Sequence, residues 1–82
     1  MPEESTNTRE PSFGENAVGL TFNPSGDALV QSIKEKAAAF IDECNALRLR
    51  TEDPEVKRMA SVAITEAQTA QMWGVKAATW RA

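Results

Sequence analysis

Asp53–Trp80, DPEVKRMASVAITEAQTAQMWGVKAATW, is the stretch that decides the fold. Asp53 can cap a helix, and Pro54 suits a first turn because the amide it lacks would have had no partner there. Glu55 then sits at the positive end of the helix dipole. No further Gly or Pro interrupts the pattern until Gly74. Counting by fours and threes from Val56 gives Ala60, Ala63, Ala67, Ala70, Gly74 and Ala77. The spacing predicts a helix with a seam of small residues against which a second helix backbone can approach closely. Met59, Ile64, Met72, Trp73, Val75 and Trp80 fall off that seam, so the helix is expected to pack on more than one side.

Outward from this helix, residues 51–52 leave only a short link to an earlier helical pattern over residues 27–48. Val30, Ile33, Ala37, Phe40, Ile41, Cys44 and Leu47 keep helical spacing there, with Lys34, Glu35, Lys36, Asp42 and Glu43 on the other side. So short a link folds the second helix back antiparallel on the first. Asn23-Pro24-Ser25-Gly26-Asp27 is a dense turn signal, and Asn23, Ser25 and Asp27 are all candidate caps for the first helix. Asn16–Phe22, NAVGLTF, is expected to lie extended across the helices. Residues 1–15 are polar and acidic and read as a flexible arm, or as a strap ordered by oligomer contacts. The expected architecture is all-α: an antiparallel two-helix hairpin over residues 16–82, with helices near 27–48 and 54–80, behind an extended N-terminal arm. Two helices enclose one seam and no core, so a helical homo-oligomer is expected. A three-helix unit that recruits the arm is disfavoured by the arm's polarity.

With 82 residues the chain is one small domain. It contains no stretch suited to spanning a membrane and no signal-peptide pattern, and Cys44 is its one cysteine. Those features lead to the expectation of a soluble protein of a reducing compartment, the cytoplasm. Residues 1–26 carry Arg9 against Glu3, Glu4, Glu10 and Glu15, whereas residues 27–82 carry eight side chains of each sign. An acidic arm on a balanced body argues against a broad DNA-binding or membrane-binding surface.

Histidine is absent, the carboxylates are scattered, and no cysteine cluster or phosphate-loop glycine spacing occurs. Catalysis, a cofactor and a metal site are therefore not expected. A binding inventory remains. Phe22, Trp73 and Trp80 offer stacking surfaces, and Lys34, Lys36, Arg58 and Lys76 can meet phosphates. Asn23, Ser25, Thr65 and Thr69 can meet base edges or ribose. Thr65, Thr69, Met72, Lys76 and Trp80 share one side of the second helix, which suggests an interfacial pocket for a small polar anion. The plainer reading makes the tryptophans packing residues and the chain a helical adaptor without a nucleotide ligand.

FNPSGDALVQSIKEKAAAFID (Phe22–Asp42) and SVAITEAQTAQMWGVKAATW (Ser61–Trp80) together resemble the phage anti-CBASS cyclic-oligonucleotide sponges. The FNPSG turn, the SIK tripeptide and TEAQTAQMWxVKA carry the resemblance, which spans Gly14 to Trp80. It implies a homohexamer of hairpins that sequesters cyclic di- and trinucleotide messengers in the host cytoplasm without cutting them. Such binding withholds the signal from a bacterial anti-phage effector. The resemblance places the family's dinucleotide lysine at Lys34. A late basic residue that serves trinucleotides, often arginine, falls on Lys76, where lysine keeps the charge and loses the bidentate fork. Phe22 stands in for a tyrosine that stacks on the base in some members. The binding set expected on all these grounds is Phe22, Asn23, Ser25, Lys34, Thr65, Thr69, Trp73 and Lys76.

Overall fold

A computed structural model describes residues 9–81, and every regular element among them is a helix. These are α1 (Phe13–Val18), α2 (Ala28–Arg50) and α3 (Pro54–Ala78). Asp27 proves to be the α2 cap: its Oδ1 accepts the Leu29 N–H at 2.7 Å. Asp53 caps α3 by accepting the Glu55 N–H at 2.9 Å, with Pro54 in the first turn. Near the link, Arg48 Nη1 donates to Ser61 Oγ at 3.1 Å. Towards the other end, a Cβ placed on Gly74 would lie 3.4 Å from Ile33 Cγ2. These two pairings run in opposite directions along the two helices, so α2 and α3 form an antiparallel hairpin. α3 stops at Ala78, two residues short of the expected end. Thr79 leaves the helical conformation there, and its hydroxyl donates to the Val75 carbonyl at 2.8 Å.

The buried stripe of α3 differs from the alanine seam read off the sequence. Ala60, Ile64 and Gln71 are buried, with Ala67, Gly74 and Ala78 half-buried, whereas Ala70 and Ala77 are exposed. The expected seam repeats every 3.5 residues. A straight helix turns once in about 3.6, so its contact line drifts by roughly 20° per heptad away from such a seam. Over 20 residues the drift moves the stripe onto Ile64 and Gln71. On α2 the buried line is Val30, Lys34, Ala38 and Ile41, which displaces Phe40 and Leu47 towards solvent. Val18, Ala38, Ile41 and Ile64 form the core, with Cys44 packed against it as a small apolar residue.

Between residues 12 and 18 the structure departs most from expectation. Ser12–Val18 is a capped helix and not the end of a flexible arm followed by an extended segment. Ser12 Oγ accepts the Glu15 N–H at 3.1 Å while Glu15 Oε1 accepts the Ser12 N–H at 2.9 Å, a complete capping box. The first eight residues of the expected arm lie outside the described residues. α1 rests on α2 through Gly14, where a Cβ would collide with the Ala38 carbonyl. Gly19 closes α1 in the left-handed conformation, φ 61°.

α1 rests mainly against α2 and touches α3 more lightly, and the Cα trace measures 48 × 42 × 12 Å. Its radius of gyration is 15.0 Å, against about 12 Å for a compact domain of this length. One prediction concerns the α1 cap. The Arg9 guanidinium, 3.0 Å from Glu15 Oε2, and next the Ser12 N–H hold the Glu15 carboxyl below its ordinary range. Because the folded value is the lower one, the contribution of Glu15 to cap stability is complete above the ordinary range. It is lost as pH falls through the lowered value. An NMR titration should give Glu15 a midpoint below that of free glutamate, and Arg9→Ala should raise it. A midpoint at the free value in the wild type would contradict the cap geometry.

Candidate ligand-binding cleft

The turn that joins α1 to α2 cannot pack as a helix, because Pro24 interrupts the amide ladder and Gly26 takes φ 66°. Its side chains tie it together instead. Ser25 Oγ donates to Asn23 Oδ1 at 2.8 Å and accepts the Asp27 N–H at 3.1 Å. Asn23 Nδ2 donates to the Asp27 carbonyl at 3.1 Å. This rigid turn stands over the ends of both long helices and closes a cleft of about 270 Å³. The cleft is lined by Phe22, Asn23, Pro24 and Ser25 from the turn, Val30 and Lys34 from α2, and Val75 and Thr79 from α3.

Lys34 is the chemical centre of the cleft. It is only 6% exposed, a rare condition for lysine. Its ammonium donates to the Gly19 carbonyl at 3.0 Å and to the Phe22 carbonyl. An ammonium has three donors, and these two bonds leave one. The two ion pairs among the described residues, Arg9–Glu15 and Arg58–Glu55, do not involve it. The Nζ also stands 5.5 Å from the centroid of the Phe22 ring, which is itself 71% exposed. The cleft thus combines a half-committed buried cation, an aromatic face open to solvent, and the amide and hydroxyl of Asn23 and Ser25. Such an arrangement can take a phosphate beside a planar base.

Four of the eight expected binding residues, Phe22, Asn23, Ser25 and Lys34, therefore meet in one place. Thr65, Thr69, Trp73 and Lys76 are exposed on α3 and do not line this cleft. Thr69 Oγ1 donates to the Thr65 carbonyl at 3.2 Å, and Lys76 Nζ lies 5.8 Å from the Trp80 ring. Val75 and Thr79 were not anticipated as cleft residues. They lie off the buried line of Ala60, Ile64 and Gln71, which continues to Gly74 and Ala78, so their place in the cleft follows from the register of α3 against the turn. Gln71 is buried beside α2, and its Oε1 has no hydrogen-bond partner among the described residues. Among those residues no cluster of three or more His, Cys, Asp or Glu could hold a metal ion. No helix there is long and apolar enough to cross a membrane.

The cleft, the hairpin and the turn all fall inside a match to the family model of the Acb2/Tad1 hairpin domain, which covers residues 15–79. The chain belongs to the Acb2/Tad1 hairpin family. This is the family of the anti-CBASS sponges, as the resemblance implied. No curated protein and no solved structure matches the chain. The Acb2/Tad1 match begins within α1 and ends at the α3 cap, so it contains every residue that lines the cleft.

The contacts of Lys34 generate a prediction about folding. Lys34→Met keeps the apolar stem and removes both bonds to carbonyls, which should cost about 1.5–3 kcal/mol. A lower urea midpoint at fixed protein concentration would report it. Lys36→Met is the control, because Lys36 is exposed and its Nζ reaches only Ser32 Oγ, at 3.3 Å. Equal midpoints for the two variants would contradict the clamp.

Proposed function

We propose that this chain is a non-enzymatic sponge that sequesters cyclic di- and trinucleotide immune messengers and so blocks CBASS-type anti-phage signalling. The observation that carries the reading is the buried Lys34 ammonium, which has a third donor and no carboxylate partner among the described residues, beneath the exposed Phe22 ring. A cation so placed favours a phosphate, and the ring favours the base attached to it. Membership in the Acb2/Tad1 hairpin family supports the same ligand class.

The working unit under this proposal is a homo-oligomer, with six copies the number the resemblance implies. Two features support an oligomer. Phe40, Met59, Met72, Trp73 and Trp80 are each more than half exposed, a load of apolar surface that one chain leaves uncovered. The cleft, at about 270 Å³, is also at the small end for a ligand site, so a cyclic dinucleotide needs a second wall. Thr65, Thr69, Trp73 and Lys76 are proposed to serve at sites built between protomers, with Lys76 assigned to trinucleotide phosphates. Binding without chemistry requires nothing more than these contacts. The exposed aromatics equally favour a helical adaptor that binds protein and no nucleotide, and the test separates the two.

That test is a thermal-shift screen against cyclic di- and trinucleotides, followed by chromatography of the recovered ligand. A ligand that binds only the folded state stabilises it by about 2.7 kcal/mol at a hundredfold excess over its dissociation constant. The sponge predicts a raised melting temperature and intact ligand. An unchanged melting temperature with every ring leaves the adaptor, and cleaved ligand rejects both readings. Phe22→Ala keeps the backbone carbonyl that Lys34 uses and removes only the ring. It should weaken binding by about 1–3 kcal/mol, the usual value of one base–aromatic stack. Unaltered affinity would remove Phe22 from the site.

A further inference from the structure

We infer that Asp42, some distance from the cleft and not one of its lining residues, is the positioning residue that fixes the cleft's outer wall. The inference rests on the sponge reading for its consequence in binding, but its structural part stands alone. Lys34, Ala38 and Asp42 lie on one i, i+4 row of α2, and the segment from Ser12 to Phe22 is laid along that row in the opposite direction. Asp42 holds the near end: Oδ2 accepts from Ser12 Oγ and Oδ1 from the Gly14 N–H, both at 2.7 Å. Ala38 holds the middle, where its carbonyl touches Gly14 with no room for a side chain. Lys34 holds the far end through the Gly19 and Phe22 carbonyls.

The segment needs both ends held. α1 has six residues, far fewer than a helix requires to persist alone in water. Its contacts are mostly with α2, and its one hydrogen bond from α3 is Gln68 Nε2 to the Ala17 carbonyl, at 3.3 Å. Asp42 does two things at once there. It satisfies the Gly14 N–H, the second amide of α1, and it fixes the Ser12 hydroxyl whose lone pair caps Glu15. Release of Asp42 therefore undoes the cap and the docking of Ser12 and Gly14 together, and leaves the Lys34 ammonium as the side chain that hydrogen-bonds Gly19–Phe22 to α2. That ammonium is the group a phosphate would engage. With Asp42 in place, a ligand can draw on the free donor of Lys34 without dislodging the wall.

The experiment compares the full chain with Asp42→Ala and Asp42→Asn. Its first readout is amide hydrogen exchange without nucleotide, and its second is the dissociation constant for cyclic GMP–AMP. Asp42→Ala should raise exchange at Glu15–Phe22 while α3 stays protected. It should also weaken cyclic GMP–AMP about tenfold if the wall is then in place about a tenth of the time. Asparagine can accept from the Gly14 N–H through its oxygen and donate to Ser12 Oγ through its nitrogen, so Asp42→Asn should restore both readouts. Loss of protection through α3 as well would mean a general structural role and would overturn the proposal. Unchanged exchange at Glu15–Phe22 in Asp42→Ala would overturn it too, as would raised exchange with unchanged affinity. If the wild-type chain binds no cyclic GMP–AMP, the exchange arm alone decides whether Asp42 positions the wall, and it is the sponge reading that fails for that ring.

Discussion

A hairpin of two long helices with one six-residue helix packed on it has more apolar surface than a single chain covers. Most features of this protein follow from that constraint. The small core formed by Val18, Ala38, Ile41 and Ile64 lies along the lines where helices touch, and Ile41 is its one fully enclosed large side chain. The remaining apolar bulk stands outward: Phe40, Leu49, Met72, Trp73 and Trp80 are exposed. Hydrophobic burial is the main force available to a chain of this size. That the hairpin leaves its largest apolar residues uncovered is the observation on which the proposed oligomer rests.

The same shortage of cover bears on the lysine buried at the cleft. The turn after α1 can approach α2 only by satisfying its own backbone carbonyls. Lys34 does this for Gly19 and Phe22. Lys34 is nearly inaccessible, as is Val30 one turn before it on α2, and both line the cleft. One residue thereby holds the turn and supplies positive charge to whatever enters. Neutral carbonyls are weak competitors for an ammonium compared with a phosphate, so the structural contact leaves the binding role open.

Much of the fold was legible in the sequence, because caps and links are local chemistry. Asp53-Pro54-Glu55 announced α3, and the short link at Thr51 and Glu52 announced the hairpin. α1 was legible in principle and overlooked: Ser12-Phe13-Gly14-Glu15 has the spacing of a capping box, but its polar surroundings and Pro11 suggested a loose arm. The position of the α3 stripe was misread for a different reason. Alanines at 3.5-residue spacing imitate a coiled-coil seam, and only the packing partner decides whether a helix supercoils to follow it. At the cleft, Phe22, Asn23, Ser25 and Lys34 are close in sequence and could be grouped by inspection. Val75 and Thr79 come from the far end of the other helix, and their arrival depends on the register of the hairpin. Asp42 was read as surface charge because its partners, Ser12 and Gly14, are 30 and 28 residues away.

The central claim is that the cleft takes an intact cyclic nucleotide and that more than one chain completes it. Native mass spectrometry of the protein with a cyclic dinucleotide tests both parts in one spectrum. The account predicts a discrete oligomer that carries a whole number of ligands, each at the mass of the uncleaved ring. A monomer that binds the ring one-to-one, or an oligomer that carries none, would contradict it.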